Sequence, residues 1–192
     1  MNKFIINNFL KKEYKFINFI NLTLKEKKII YKNRNSIFIR KWMFVNSFIS
    51  FKEHLMFIKN LKEDKSKIFF LIKRKKKYIG VYSLINIKNN EAQSGYYLFL
   101  NSIKKNLALE LLYSVIIYIF DNLKINKLYG YSAYKNKNAF LLNQILGFNQ
   151  KKISKNNDLF YYSTLKKSFW KKSVYNKSKI LNLINYTIKN IN

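Results

Sequence analysis

The sequence contains no cysteine and no proline, only four glycines and a single histidine, His54. Without cysteine the chain has no disulfide framework, no cysteine-ligated zinc and no cysteine nucleophile. One histidine is too few for a histidine-based metal cluster, so we expect no metal cofactor. Acidic residues are also scarce, at nine against 38 lysines and arginines. The chemistry must therefore come from residue types other than thiols and metal ligands.

The formal net charge of +29 comes almost entirely from lysine, because arginine occurs only at Arg34, Arg40 and Arg74. Asparagine, isoleucine, phenylalanine and tyrosine are abundant too, and all share A/T-rich codons with lysine. Proline, glycine and most arginine codons need G or C. A base-composition bias therefore explains the whole composition, whereas nucleic-acid binding explains only the charge. Whatever its origin, the positive field attracts polyanions and steers anionic ligands toward the protein.

No segment has the pattern of a secretory signal or a membrane span. The apolar run within residues 1–12 is too short and lacks a small-residue cleavage site. The longest apolar stretch, from Leu107 to Phe120, covers 14 residues and includes Glu110. A membrane span needs about 20 apolar residues, so this stretch predicts a buried helix. We therefore expect a cytoplasmic protein with no membrane span.

The length of 192 residues and the hydrophobic content of 48% suit one α/β domain with a sizeable core. Apolar periodicity and turn residues predict the order β-α-α-β-β-β-α-β-α-β-β, without a linker or a repeat. We expect a single domain over residues 13–167, with a mixed sheet of six to seven strands flanked by about four helices. Residues 168–192 form a basic tail that we expect to be helical or disordered.

The clearest helix follows Ser50, because Ser50 and Glu53 have the spacing of a capping box. Phe51 and Leu55 then continue one apolar face, and the helix is predicted to end near Asp64. Gly147 is a plausible residue for ending a later helix. Strands are predicted over residues 14–22, 67–74, 78–87, 95–100 and 127–134, followed by a last hairpin that turns at Asn156 and Asn157.

A strand, a polar loop and a helix follow one another over residues 98–112. A loop that enters a helix exposes free backbone N–H groups and the positive end of the helix dipole, which together suit a pyrophosphate. Lys104 and Lys105 add positive charge. Taken alone, this pattern is more typical of an ordinary strand-to-helix turn.

A second pattern follows the next strand, with Asn136, Ala139, position 143 and then Gly147 and Phe148. It resembles N-x-x-A-x-x-x-Y-x-x-x-G-F, the closing motif of the GNAT acetyltransferase superfamily. The two patterns in this order resemble GNAT enzymes as a whole. The resemblance implies acetyl-CoA as cosubstrate and a splayed strand that pairs with its pantetheine arm. The cofactor-binding positions it implies are Leu98, Phe99, Leu100, Lys104, Lys105, Asn106, Leu107, Ala108, Asn136 and Ala139.

The amino-terminal half resembles one GNAT subfamily, in R-N at Arg34, W-M-F at Trp42 and F-I-S-F-K-E-H-L-M-F-I-K-N-L at Phe48. This is the UDP-4-amino-4,6-dideoxy-N-acetyl-altrosamine N-acetyltransferase of pseudaminic acid biosynthesis. The subfamily acetylates the 4-amino group of a UDP-linked amino-dideoxy sugar destined for flagellin glycosylation. The segment I-G-V-Y-S-L at 79–84 also fits, and the resemblance covers about residues 19–165.

The subfamily resemblance implies a pocket for the sugar nucleotide. Aromatic faces can stack a uracil or a sugar, and Arg34 with nearby lysines can meet the diphosphate. Phe57 equally suits a plain core position, and His54 equally suits an ordinary helix position. The substrate-binding residues that the resemblance implies are Arg34, Trp42, Met43, Phe44, His54, Phe57 and Tyr96.

The chain departs from the family at two places. The glycine-rich loop reads I-K-K-N-L-A at 103–108, where Asn106 can adopt the left-handed conformation that glycine would supply. The family tyrosine, proposed to protonate the departing thiolate of CoA, falls at Asn143. An amide cannot act as a general acid, although Asn143 can hydrogen-bond the sulfur. Tyr134 or a water is the substitute acid, and His54 acting through a water is the candidate base.

Three functions remain open on the sequence. The first is an active N-acetyltransferase of a nucleotide-sugar acceptor. The second is a degenerate GNAT that binds CoA or a nucleotide sugar with little catalysis, as Asn143 and Leu107 suggest. The third is a basic nucleic-acid-binding protein, but lysine spread along the whole chain argues against specific nucleic-acid recognition. The oligomeric state is left open, a homodimer included.

Overall fold

The computed structural model describes residues 3–7, 13–100, 102, 107–155, 157–172 and 178–183. The chain falls into two compact units. The first comprises residues 1–88 and 93–102, and the second comprises residues 89–92 and 103–192. None of the helices in these described ranges is long and apolar enough to cross a membrane.

The first unit is built on antiparallel strands in the order β1-β2-β3-β4-β5. The register places Ile17 beside Leu71 and Leu71 beside Val81. Side chains directly across neighbouring strands share one face of a sheet, so these three form an apolar row. The strands are β1 (Lys3–Asn7), β2 (Glu13–Asn18), β3 (Ile68–Arg74), β4 (Lys77–Lys88) and β5 (Glu91–Leu98), of which β5 contributes residues 93–98 to this unit.

Three α-helices cover that apolar row: α1 (Leu24–Arg34), α2 (Ile37–Arg40) and α3 (Phe51–Asn60). Each contributes at least one side chain to the same buried cluster, namely Ile30, Ile39 and Ile58. The cluster as a whole comprises Ile17, Phe19, Leu22, Ile30, Ile39, Ile58, Leu61, Leu71, Val81 and Phe99.

Both long helices of this unit begin with a capping box. At α3 the hydroxyl of Ser50 accepts from the N–H of Glu53 at 3.2 Å, and the Glu53 carboxylate accepts from the N–H of Ser50 at 2.6 Å. This capping box was predicted and is confirmed. Thr23 and Glu26 make the same pair of bonds at the start of α1. Each box satisfies backbone donors that a helix start leaves free.

The second unit holds three antiparallel strands in the order β6-β8-β7. Residue Ser163 in the middle of β8 lies between Gly130 of β6 and Gln150 of β7. Gly147 ends α5 with a φ of 82°, the left-handed conformation expected of a residue just past a helix. The elements are α4 (Leu107–Asn122), β6 (Lys127–Ala133), α5 (Lys137–Ile145), β7 (Asn149–Lys155), β8 (Asp158–Lys166) and α6 (Lys167–Lys172).

The basic tail begins with a packed helix. Trp170 of α6 is buried and lies against Tyr113 and Phe120 of α4, with ring centroids 5.5 and 6.5 Å apart. Residues 178–183 are helical as well, and Ile180 is buried. Of the two predicted states of the tail, its described residues therefore adopt the helical one.

The predicted α/β fold is confirmed. The seven strands β2 to β8 lie between Glu13 and Lys166, and four helices are nine residues or longer. Strand β1 was not predicted and adds to this set. The first predicted strand, residues 14–22, is too long, because the Asn18 side chain accepts from the N–H of Ile20 at 3.3 Å and starts a 3-10 turn over Phe19–Asn21.

Candidate active site

The segment between α1 and α3, residues 36–48, is closed at its base by side-chain hydrogen bonds, and we call it the acceptor loop. The Asn35 amide donates to the Ile49 carbonyl at 2.9 Å and accepts from the Ile49 N–H at 3.0 Å. Arg34 donates from Nη2 to the carbonyl of Val45 at 2.6 Å. Arg34 and Asn35, adjacent residues at the end of α1, therefore hold the end of the acceptor loop close to its start.

Two aromatic side chains of this loop face solvent. Trp42 is 39% exposed and Phe44 is 53% exposed. Met43, between them, packs against the buried cluster of the first unit. The Lys41 ammonium lies 5.1 Å from the Trp42 ring. Of the three predicted loop residues, two are thus exposed and one anchors the loop.

His54 is buried, with 3% of its surface exposed. Its Nε2 lies 3.1 Å from the carbonyl oxygen of Lys27, and because a carbonyl only accepts, Nε2 carries the proton. The ring packs against Tyr31 and Phe51. Burial lowers the pKa of His54, while the bond to the Lys27 carbonyl opposes that shift. This environment joins α3 to α1 and does not support the predicted water-mediated base.

The remaining predicted substrate residues of this unit are Phe57 and Tyr96. Phe57 packs edge-on against Phe69 at 5.1 Å and is partly exposed, which fits a wall as well as a core position. Burial raises the pKa of Tyr96, so its phenol is neutral and able to donate a hydrogen bond. The neighbouring Tyr97 points to the opposite face of β5. Its phenol raises the pKa of the Arg34 guanidinium, against the effect of burial.

The end of β5 is shaped by a close backbone approach. A Cβ at Gly80 would collide with the carbonyl oxygen of Tyr97. Leu98 and Phe99 are buried, whereas Leu100 is 56% exposed. The Phe99 N–H donates to Ile79 at 2.9 Å and its carbonyl accepts from Ser102 at 2.7 Å. The backbone groups of Phe99 are thus already used, in contrast to its predicted contact with the cofactor.

The predicted pyrophosphate loop lies mostly outside the described residues, since Lys104, Lys105 and Asn106 are not among them. Leu107 and Ala108 are the first described residues of α4. The Leu107 side chain is buried, which leaves its bulk out of the way of a ligand at the helix start.

The closing motif has a local structural reason. Asn136 is the N-cap of α5, and its Oδ1 accepts from the N–H of Ala139 at 3.2 Å. The two predicted motif residues, three apart in sequence, are therefore joined directly. Capping by asparagine is among the most favourable, so this pair defines where α5 starts.

Asn143 stands at the end of a hydrogen-bonded chain. Gln150 donates from Nε2 to the backbone carbonyl of Phe140 at 2.9 Å, which turns its Oε1 toward Ser163. The Ser163 hydroxyl donates to that oxygen at 3.0 Å and accepts from Nδ2 of Asn143 at 3.2 Å. Because the carbonyl can only accept, the direction of every bond is fixed. Asn143 is left with its Oδ1 and one N–H for other partners.

Tyr134 packs beside the same strand. Its ring lies 5.0 Å from that of Tyr161, and the ammonium groups of Lys137 and Lys152 lie 4.2 and 4.7 Å from its centroid. Tyr161 and Ser163 alternate with Tyr162 along β8 and share one face. Tyr134 and Asn143 therefore lie against the same face of β8, through different partners.

The described residues contain no group of three or more acidic or histidine side chains placed to hold a metal ion. The candidate chemistry in these units is hydrogen bonding, aromatic contact and cationic charge.

The chain belongs to the GNAT acetyltransferase family, since the family model of the acetyltransferase (GNAT) domain matches residues 33–149. Individual relatives of known name indicate a subgroup within this family. The acetyltransferase PseH of Campylobacter jejuni strain 81-176 is 35% identical over 154 residues, which are 80% of this chain and 94% of that protein. The predicted enzyme class, an N-acetyltransferase, is confirmed.

Two of the solved structures to which this chain is similar are N-acetyltransferases. The N-acetyltransferase PseH of Campylobacter jejuni in complex with acetyl coenzyme A has a TM-score of 0.63 and 33% identity, covering 80% of this chain and 98% of that one. The spermidine N-acetyltransferase of Vibrio cholerae in complex with CoA and spermine has a TM-score of 0.73 at 20% identity, covering 82% and 97%. The latter likeness shows the fold alone.

Four residues that interact with the predicted ones, directly or through one shared partner, did not stand out in the sequence: Arg40, Tyr97, Gln150 and Ser163. Tyr97 and the predicted Tyr96 are adjacent on β5 and point to opposite faces of the sheet. The sequence alternation does not say which of the two faces carries the site. The scarcity of arginine was the available signal for Arg40. Nothing in the sequence marks Ser163 or Gln150, because strand register brings them to Asn143.

Proposed function

We propose that this enzyme transfers the acetyl group of acetyl-CoA to the 4-amino group of a UDP-linked amino-dideoxy sugar, in pseudaminic acid biosynthesis for flagellin glycosylation. The observation that carries the proposal is the 35% identity to the acetyltransferase PseH, which extends over 94% of that protein. The solved PseH complex with acetyl coenzyme A supports the choice of cosubstrate.

The acceptor loop supplies contacts of the kind a sugar nucleotide needs. Exposed Trp42 and Phe44 offer flat faces to a uracil or sugar ring. The guanidinium of Arg34 offers donors to a phosphate. Met43 packs against the buried cluster and Phe57 against Phe69, so both support the loop from below. The neutral phenol of Tyr96 is a further hydrogen-bond donor.

For acetyl-CoA we propose backbone contacts at Leu98 and Leu100, and a pyrophosphate site in the loop 104–108 that precedes α4. The cap formed by Asn136 and Ala139 sets the start of the second proposed cofactor helix. An Asn106→Pro variant loses one backbone donor and fixes φ in the loop, so we expect it to abolish acetyl-CoA binding. Unchanged affinity for acetyl-CoA, measured by calorimetry, would remove the loop from the site.

The transfer forms a C–N bond between the acceptor amine and the acetyl carbonyl and breaks the C–S bond of the thioester. The amine must be neutral to attack. After attack it gives up one of its two protons to solvent, and the sulfur takes up one proton so that CoA leaves as the free thiol. The departing thiolate needs less help, because a cysteine thiol has a pKa of about 8.5. We propose that the free N–H of Asn143 hydrogen-bonds the sulfur, with Tyr134 as the candidate proton donor.

The decisive experiment combines binding and turnover. Acetyl-CoA and a UDP-linked 4-amino sugar should each raise the melting temperature, since both bind the native state. Together they should give a product heavier by one acetyl group in mass spectrometry. UDP-N-acetylglucosamine, which lacks a free amine, is the control and should bind without being acetylated. Absence of both stabilisation and product would refute the proposal.

A second candidate is favoured by Asn143 itself. A GNAT that binds acetyl-CoA and a nucleotide sugar but transfers acetyl slowly or not at all would tolerate an amide in place of an acid. Both ligands would then stabilise the protein, as above, and no acetylated sugar would form over many hours.

Residues 13–167 remain our proposed acetyltransferase domain, although buried Trp170 gives the tail a share in packing α4. We place the reaction in the cytoplasm, where acetyl-CoA and sugar nucleotides are made. The homodimer stays a prediction, to be checked by light scattering of the purified chain.

A further inference from the structure

Two of the three arginines of the chain lie six residues apart at the acceptor loop. Arg34 is the last residue of α1 and Arg40 is the last residue of α2. Nη1 of Arg34 and Nε of Arg40 are buried, and neither has a hydrogen-bond partner within the described residues. Buried donors are usually paired, and because both residues are only partly buried overall, a ligand can approach the two side chains from solvent.

The two guanidinium groups are close enough to act on each other. Burial lowers the pKa of Arg34, the nearby Tyr97 phenol raises it, and the charge of Arg40 lowers it again. Within the described residues neither arginine forms an ion pair with a carboxylate. Two acids on the helices of this unit are engaged elsewhere, Glu26 of α1 with Thr23 and Tyr78, and Glu53 of α3 with Ser50. Two like charges without a counterion favour an anionic ligand.

The residue type strengthens this argument. Lysine supplies nearly all the positive charge of the chain, so charge alone does not require arginine at position 40. Arginine differs from lysine in its planar fork of donors, which matches two oxygens of a phosphate at once. Two such forks at one loop fit an anion with several oxygens on adjacent phosphorus atoms.

We propose that Arg34 and Arg40 form a paired subsite for a diphosphate, in which Arg40 is a second binding residue that the sequence comparison did not indicate. The inference rests on the proposed function, because it assigns the diphosphate to the UDP moiety of the acceptor. Trp42 and Phe44 follow Arg40 on the same loop and are exposed to a base or sugar attached to that diphosphate. CoA carries phosphates of the same chemistry, so the test must separate the two sources.

The test measures the binding of UDP and of acetyl-CoA by calorimetry to the wild type and to Arg40→Gln, Arg40→Lys and Arg74→Gln. We expect Arg40→Gln to weaken UDP binding roughly 10- to 100-fold, the loss of hydrogen bonds to a charged group. Arg40→Lys keeps the charge without the fork and should fall between. Arg74→Gln is the matched control, because Arg74 lies on β3 against Tyr14, and it should bind both ligands as the wild type does.

The free protein gives an independent readout. Arg40→Gln removes the repulsion between two neighbouring, partly buried charges, so its melting temperature without ligand should equal or exceed that of the wild type. A lower melting temperature would mean that Arg40 stabilises the free fold and would overturn the proposal. So would unchanged UDP affinity, or a loss confined to acetyl-CoA, which would assign the arginines to the cosubstrate.

The two proposals fail separately. If UDP binding depends on Arg40 but no UDP-linked amino sugar is acetylated, the subsite stands and the proposed function fails. If acetylation proceeds and the KM for the UDP sugar is the same in wild type and Arg40→Gln, the subsite fails and the proposed function stands.

Discussion

The side-chain amide of Asn143 donates to the hydroxyl of Ser163, with 3.2 Å between Nδ2 and Oγ. This bond fixes the amide at the position where the family pattern has a tyrosine. It also ties the carboxyl-terminal part of α5 to the middle of β8, so the properties of Asn143 depend on a strand that no sequence motif marks.

Replacing Asn143 by tyrosine should raise turnover. A phenol can protonate the leaving thiolate, whereas an amide cannot. General acid catalysis is typically worth ~10²–10⁴-fold, and we expect a gain of roughly tenfold because a thiolate leaves readily without help. Affinity for acetyl-CoA should change little, since the gain arises in the transition state. Steady-state kinetics with acetyl-CoA and the UDP-amino sugar measure both quantities. No transfer by either protein would favour the degenerate binder.

Replacing Ser163 by alanine should destabilise the fold. Ser163 is buried, and its removal leaves the Gln150 oxygen and the Asn143 amide without their partner. An unsatisfied polar group costs about 1–3 kcal/mol when it is fully buried, and because Gln150 and Asn143 are part-buried we expect a loss of about 1 kcal/mol, which urea denaturation can measure. Ser154→Ala, at an exposed position on the adjacent strand β7, is the control and should lie within about 0.5 kcal/mol of the wild type. Equal stability of the two variants would show that the chain of bonds contributes nothing.

The pKa of His54 should lie below its ordinary value of 6.5. Burial disfavours the charged ring, so the folded pKa lies under the value of 6.5 in an unperturbed chain. Below pH 6.5 the unfolded chain therefore takes up a proton that the folded chain refuses, and stability falls as the pH is lowered from 7 toward the folded pKa. His54→Gln should lose less stability over that interval. Because the chain has one histidine, a single imidazole signal in NMR reports the pKa directly. A value at or above 6.5 contradicts the burial.

Binding to duplex DNA should be weak, indifferent to sequence and strongly dependent on salt. A net charge of +29 attracts phosphates without reading bases, and counterion release then controls the affinity. Titrations at about 50 and 200 mM salt with two unrelated duplexes test this expectation. A sequence-specific complex that survives the higher salt would restore the nucleic-acid-binding alternative.

The element order was predictable because local signals agreed with the fold. Ser50 and Glu53 marked a helix start, and Gly147 marked a helix end. Strand β1 and the early end of β2 were not predicted. Strand β1 lies outside the residues that resemble the family. Strand β2 ends early because the Asn18 side chain accepts a hydrogen bond from the backbone N–H of Ile20.

The candidate site was predictable only as far as residue types and motifs reach. Trp42 and Phe44 are exposed as a binding role requires, whereas the buried ring of His54 bonds the backbone of Lys27. No periodicity distinguishes these outcomes, because exposure at one helix or loop position depends on what packs against it. The pairing of Arg34 with Arg40 likewise follows from how α1 and α2 meet.

The missing side chain at Gly80 also limits how this sequence can change. Any residue with a Cβ would push the β4 backbone away from the carbonyl of Tyr97, beside the end of β5 where we place acetyl-CoA. A mutational drift toward A and T exchanges glycine codons for those of arginine, glutamate or serine, all of which carry a Cβ. A sequence that keeps this close backbone contact must therefore keep glycine at position 80, whatever the base composition favours elsewhere in the chain.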